Sequence, residues 1–245
     1  MLTIDIGNSG VKWGVWQDGQ LILAEGSSYE KDSLEVTFDK IYSGAHYQDT
    51  IWVSCVAGQD VEQTLIEWIR KKWSLEPIFL RTSSEFGGVF NMYPRPDDHG
   101  VDRWAALLGA RKLYTVPVCV LDVGTAVTVD LMDAGGVHRG GRIMPGLNMM
   151  RNSLLQNTVG IKDIVGDCPG FAISTADAVT SGTLHMLQAG LLEVCESAKK
   201  RLGKDMRVIL TGGMAEKMLP LLEKVEGIHL EPHLVLYGLY HASQQ

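Results

Sequence analysis

The sequence predicts a mixed α/β protein made of two similar halves, and three observations carry the prediction. A short phrase occurs twice, first as Leu2-Thr-Ile-Asp5-Ile6-Gly7-Asn8-Ser9-Gly10-Val11-Lys12 and again as Val118-Cys-Val-Leu-Asp122-Val-Gly124-Thr125-Ala126-Val127-Thr128. Each copy reads as an apolar strand ending in a carboxylate, a glycine-containing turn and a returning, alternating strand, which is a β-hairpin. Around the hairpins, apolar residues also recur at helical spacing. No low-complexity linker separates the halves, so they are expected to pack closely.

In order, strands are expected at 2–6, 11–17 and 20–26, with Gln17-Asp18-Gly19-Gln20 as a hairpin turn. Ile41-Tyr-Ser and 50–56 read as further short strands. Val61, Leu65, Ile66, Trp68 and Ile69 fall at helical spacing in 59–73, with acidic residues early and basic ones late. Residues 77–80 read as a strand. The stretch 83–100 holds Gly87-Gly88, Pro94, Pro96 and Asp97-Asp98-His99-Gly100 with little periodicity, and a long irregular stretch in a compact domain is commonly functional or disordered. A helix follows from 101 with Asp102 at or near its start. Strands at 117–122, 126–132 and 136–143 then form a second meander. Helices at 146–156 and 175–201, a strand at 206–210, a short helix at 214–223, a strand at 228–230 and a last helix from about 234 complete the chain.

A chain of 245 residues has room for one large or two medium domains with real cores. The formal charge of −7 and sequence pI of about 5.5 argue against generic nucleic-acid or anionic-membrane binding. The basic clusters at 70–72 and 199–201 close predicted helices, where cations complement the macrodipole. The four cysteines are scattered without a Cys-x-x-Cys pair, which fits reduced thiols in a cytoplasmic protein. The seven histidines show no metal-ligand spacing. No apolar run reaches the roughly 18–20 residues that cross a bilayer. No signal peptide is expected, because cleavage would remove the Asp5 strand.

Asp5 read alone is an ordinary turn residue. With Asn8, Gly10 and Lys12 beside it and a copy at Asp122, a second reading is stronger: a carboxylate for Mg²⁺ at a phosphate site. Gly7, Ser9 and Gly10 permit close backbone approach, and Lys12 can neutralise terminal phosphate charge. Neither a P-loop nor a dinucleotide fingerprint occurs at these hairpins. Two such hairpins facing one cleft point to nucleotide-dependent phosphoryl transfer. Asp102 is open to two readings, a helix N-cap or a base that takes a hydroxyl proton. Arg103 beside it could clamp a carboxylate with two parallel bonds. Thr211-Gly212-Gly213 suits backbone packed on a flat ligand such as adenine.

Taken in order, these motifs resemble the type III pantothenate kinase family, within the acetate and sugar kinase, Hsp70 and actin superfamily. The resemblance rests on 5–12, Gly100-Val101-Asp102-Arg103-Trp, Asp122-Val-Gly-Thr125-Ala-Val-Thr, Gly140-Gly-Arg-Ile-Met-Pro145-Gly, Thr211-Gly-Gly213 and Leu234-Val-Leu-Tyr-Gly-Leu. It implies two ribonuclease-H-like (actin-like ATPase) domains with a nucleotide cleft between them, here 1–115 and 116–245, the last helix able to pack back on the first. It also implies ATP and pantothenate as substrates, Mg²⁺, a monovalent cation (K⁺ or NH₄⁺), and a homodimer whose interface helps form the pantothenate pocket. By position, Asp5, Ile6, Gly7, Asn8, Ser9, Gly10, Val11 and Lys12 form the phosphate and Mg²⁺ loop. Thr125 touches ATP, Asp122 helps bind K⁺, and Asp102 is the proton acceptor. Tyr93, Gly100, Val101, Asp102, Arg103 and the more loosely matched Thr175 contact pantothenate. Ser9 replaces the family's more frequent threonine and keeps its hydroxyl. The competing expectations are a transcriptional accessory protein of the same fold and another small-molecule kinase of the superfamily.

Overall fold

The computed structural model describes residues 1–29, 34–44 and 49–245. The chain divides into two compact units, one of Met1–Thr115, Ala134–His138 and His233–Gln245, the other of Val116–Asp133 and Arg139–Pro232.

The first unit contains β1 (Leu2–Ile6), β2 (Gly10–Gln17), β3 (Gln20–Ser28), α1 (Leu34–Gly44), β4 (Ile51–Cys55), α2 (Gln59–Trp73) and β5 (Ile78–Phe79). The short strands β6 (Glu85–Phe86) and β7 (Val89–Phe90) and the helix α3 (Val101–Leu113) follow. The sheet runs β3-β2-β1-β4-β5. β1 pairs antiparallel with β2 and parallel with β4. Leu2, Ile4 and Ile6, on one face of this central strand, are fully buried. Thr3 is buried too, and its hydroxyl accepts the Trp16 indole N–H at 2.8 Å. Asp18 and Gly19 both take positive φ at the β2–β3 turn, the two-residue geometry whose twist matches the flanking strands.

Two sequence expectations change here. Ile41-Tyr-Ser lies in α1, not in a strand. Leu34, Phe38 and Ile41 are all buried, and their spacing of four and three residues is that of one helical face. The stretch 83–100, expected to be irregular, contains the β6–β7 ribbon with Gly87 and Gly88 at its turn, both at positive φ, and a 3-10 turn at Pro96–Asp98.

The second unit contains β8 (Val118–Val123), β9 (Ala126–Met132), β10 (His138–Pro145, whose first residue belongs to the first unit), α4 (Leu147–Asn157), α5 (Thr175–Leu202), β11 (Arg207–Thr211), α6 (Ala215–Met218) and β12 (Ile228–Leu230). Its sheet runs β10-β9-β8-β11-β12, the same order by position as the first. β8 pairs antiparallel with β9 and parallel with β11. Leu187, Leu191, Val194 and Ala198 of α5 join Cys119, Leu121 and Val208 in its core. Ser174 caps α5 by accepting the Asp177 N–H.

The last helix, α7 (Leu234–Ala242), belongs to the first unit. It meets α3 backbone to backbone. A side chain at Gly109 would overlap the Leu234 carbonyl, and one at Gly238 would overlap that of Ala105. Trp16 stacks on Tyr240 at 4.2 Å, which seats α7 over β2.

Burial pushes the Cys119 thiol well up, and brings Cys195 to about 11. Cys55 is also raised, by burial first and then by the charges of Glu62 and Asp5. A raised thiol pKa keeps the unreactive protonated form at pH 8. These three cysteines are therefore expected to resist a thiol-reactive chromophore at pH 8 in the native protein and to react after denaturation. Immediate native reaction of Cys119 or Cys195, mapped by mass spectrometry, would contradict the burial.

Candidate functional site

In the first unit, Asp5 stands one residue before the end of β1, in register with Lys12 on β2 and Ser54 on β4. The loop between β1 and β2 is closed by the Gly7 N–H donating to the Gly10 carbonyl at 2.9 Å. Asn8 and Ser9 at its tip are exposed, whereas Ile6 and Val11 anchor its base in the core. Tyr29, absent from the sequence-derived set, ties this loop down by donating its hydroxyl to the Gly7 carbonyl at 2.5 Å. Desolvation raises its pKa, with the Cys55 charge second. Asp5 Oδ1 is shielded from solvent. The charges of Asp5 and Glu62 act on the Cys55 thiol, and Arg81 grips Glu62 through two bonds of 2.9 and 2.8 Å.

The second group in this unit sits where 83–100 enters α3. Gly100 is the N-cap and Val101 opens the helix, so Asp102 is the second helical residue and not the cap. Its Oδ1 accepts the Arg103 N–H at 2.8 Å, which holds the carboxylate at a helix N-terminus that favours the anion. A Cβ on Gly100 would lie 2.7 Å from that oxygen, so a side chain there would make the Asp102 carboxylate shift. Arg103 is buried, and its Nη1 donates to the Tyr93 hydroxyl at 3.0 Å. Tyr93, Asp102 and Arg103 are thus brought into one cluster, with Gly100 and Val101 as its backbone.

In the second unit, Asp122 occupies the position in β8 that Asp5 occupies in β1, in register with Thr128 and Thr211. Thr128 stands where the first hairpin has Lys12. Gly212, at φ +96°, lies so close that a side chain there would strike Asp122 Oδ1 and the Val123 backbone. Gly146 likewise lies against the Thr125 and Gly124 carbonyls, with its N–H donating to Thr125 at 3.2 Å. Thr125 itself is exposed. Thr175 is the exposed first residue of α5. The closeness of Gly146 and Gly212 to the hairpin had no counterpart in the sequence beyond the glycines themselves.

Two five-stranded sheets of one strand order, each with a carboxylate at the end of its first strand, define the actin-like ATPase and sugar kinase fold class. Solved structures agree on the fold. A Campylobacter jejuni protein described as a Baf family transcriptional activator matches with TM-score 0.60 at 19% identity, covering 100% of this chain and 98% of that one. A Sinorhizobium meliloti protein described as a 2-dehydro-3-deoxygalactonokinase matches with TM-score 0.55 at 13% identity, covering 99% and 98%. The sequence goes further. The family model for type III pantothenate kinase matches residues 1–197. The type III pantothenate kinase of Nitrosococcus oceani is 32% identical over 247 residues, covering 98% of this chain and 92% of that protein. That of Azoarcus sp. is 37% identical over 242 residues, covering 98% and 89%. The chain belongs to the type III pantothenate kinase family.

Proposed function

We propose that this chain transfers the γ-phosphoryl group of ATP to the 4′-hydroxyl of pantothenate, giving 4′-phosphopantothenate, the first step toward coenzyme A. The observation that carries the reading is the Tyr93–Asp102–Arg103 cluster at the start of α3, within the span of the family match. Asp102 takes the hydroxyl proton as the oxygen attacks, and ADP leaves. Arg103 and Tyr93 orient pantothenate beside the backbone of Gly100 and Val101, with Thr175 as a further contact. The segment from Asp5 through Ile6, Gly7, Asn8, Ser9, Gly10 and Val11 to Lys12 receives the ATP phosphates, and Thr125 contacts ATP. A loose transition state makes such positioning and charge neutralisation the main catalytic terms.

The shielded carboxylate oxygen of Asp5 suits a hard cation, and we assign Mg²⁺ there. Asp122, against the glycine backbone at 212, is the residue for a monovalent cation, K⁺ or NH₄⁺. When bound, these ions neutralise phosphate charge. Incubation with ATP, Mg²⁺, K⁺ and pantothenate is expected to form phosphopantothenate, detected by mass spectrometry. ATP turnover without that product would overturn the reading. The regulatory alternative draws no support from the Campylobacter likeness, which at 19% identity shows the fold alone.

The working form is a homodimer. Support comes from the fully exposed apolar side chains Val159, Phe171 and Ile173, at 105–106% relative exposure, in the segment between α4 and α5. Large apolar side chains left wholly in water are the material from which interaction surfaces are built. Sedimentation is expected to show a dimer in the wild type and a monomer in the Phe171→Ser/Ile173→Ser variant. A monomeric wild type would refute the assignment. The expected compartment is the cytoplasm, in keeping with four free cysteines. No described helix is long and apolar enough to cross a membrane.

A further inference from the structure

Two buried histidines have no part in the chemistry above. His99 and His138 are each 1% exposed, although they lie 39 positions apart in sequence. Burying an imidazole costs more than burying a leucine of similar size, so their place in the interior calls for a reason. Both form a ring cluster with Tyr93. The Tyr93 and His99 rings stack at 4.7 Å and 8°, His99 and His138 at 4.8 Å and 24°, and Tyr93 and His138 at 5.6 Å and 21°. Trp104 of α3 closes the far side, edge-on to His99 at 6.0 Å and 70°.

The backbone on both sides is pinned. The His99 carbonyl accepts the Thr82 hydroxyl at 2.9 Å, and its N–H donates to Pro96 at 2.9 Å. The segment Ala134–His138 is held to the first unit by the Phe90 N–H to Gly136 at 2.9 Å, by a bridge between Phe90 and Val137, and by Arg111 on the Ala134 carbonyl at 2.8 Å. Tyr93 differs. It lies outside helix and strand between exposed Met92 and Pro94, its N–H held by the Asn91 side chain at 3.1 Å, so no helix or sheet fixes its ring. The flat faces of His99 and His138 do, and the ring in turn places the hydroxyl that meets Arg103 Nη1 at 3.0 Å.

We infer that His99 and His138 are positioning residues of the pantothenate site: their stacked rings set the plane of Tyr93 and, through its hydroxyl, the direction of the Arg103 guanidinium. This rests on the assignment of Tyr93 and Arg103 to pantothenate. An aliphatic side chain would fill the same volume but offer no flat face, whereas stacked rings hold a preferred offset geometry. The pair therefore acts on acceptor binding and not on ATP or the phosphoryl-transfer step.

Steady-state kinetics of the full chain test this, with leucine and phenylalanine placed in turn at each histidine. His99→Leu and His138→Leu are expected to raise the pantothenate KM about tenfold, leaving kcat and the ATP KM within about twofold, the signature of lost uniform binding. His99→Phe and His138→Phe restore a flat face and are expected to stay within about threefold of wild type. Leucine variants with an unchanged pantothenate KM, or with kcat and both KM values altered together, would overturn the inference. Should the leucine variants not fold, the phenylalanine variants decide: a pantothenate KM well above that threefold limit refutes the role of the ring plane. Arg103→Ala separates the two levels. If it leaves the pantothenate KM unaltered, the substrate-site assignment itself fails; if it raises that KM while the histidine variants do not, only the positioning role fails.

Discussion

Asp102→Asn is expected to lower kcat by about 10²–10⁴-fold, the usual contribution of a positioned general base. The amide oxygen can still accept the Arg103 N–H that Oδ1 accepts at 2.8 Å, so the start of α3 and the thermal midpoint should persist. The amide cannot take the proton of the pantothenate hydroxyl. Because the transition state of phosphoryl transfer is loose, with little bond formation to the nucleophile, the loss should lie toward the lower end of that range. The pantothenate KM should change little, since Arg103 and Tyr93 remain. Coupled measurement of ADP release at saturating pantothenate gives kcat directly, and near-wild-type turnover would remove Asp102 from the role of base.

Gly238→Ala is expected to destabilise the protein by about 3 kcal/mol, the upper end of the usual cost of an overpacked interior. Two effects compete. Alanine is the better helix former, by about 1 kcal/mol per residue. Against that, the added Cβ would overlap the Ala105 carbonyl, a backbone atom that cannot rotate aside. The nearby Gly109 contact with Leu234 leaves α7 no room to slide along α3. The clash therefore outweighs the propensity gain, and relief requires the helices to part. At about 2–4 °C per kcal/mol for a chain of this size, the thermal midpoint should fall by about 6–12 °C. Since the first turn of α3 carries Asp102 and Arg103, activity should decline with it. An unchanged or higher midpoint would show that the two helices are not packed backbone to backbone.

The parts of the site that were legible in the sequence share one property: their chemistry is local. The Asp5 and Asp122 hairpins announce themselves by apolar alternation, a carboxylate and glycines within about a dozen residues. Gly100-Val101-Asp102-Arg103 is a run of four. The misread stretches fail for identifiable reasons. Ile41 belongs with Leu34 and Phe38, but Ile41-Tyr-Ser viewed alone has strand character. The Gly87-Gly88 turn was visible, yet the flanking strands are two residues each, too short to show a period. Asp102 satisfied the rule for a cap, but Gly100 takes that position and leaves the carboxylate for other work.

The sequence by itself determined the repeated strand-carboxylate-glycine hairpins and the family. It could do so because backbone pattern and local side-chain chemistry are written in neighbouring residues. Only the tertiary structure decided that Ala134–His138 and His233–Gln245 join the first unit. It also decided that Gly212 packs on Asp122 and that His99 and His138 stack beside Tyr93. Those are contacts between distant segments, selected by which faces must be buried together, and no local pattern encodes them.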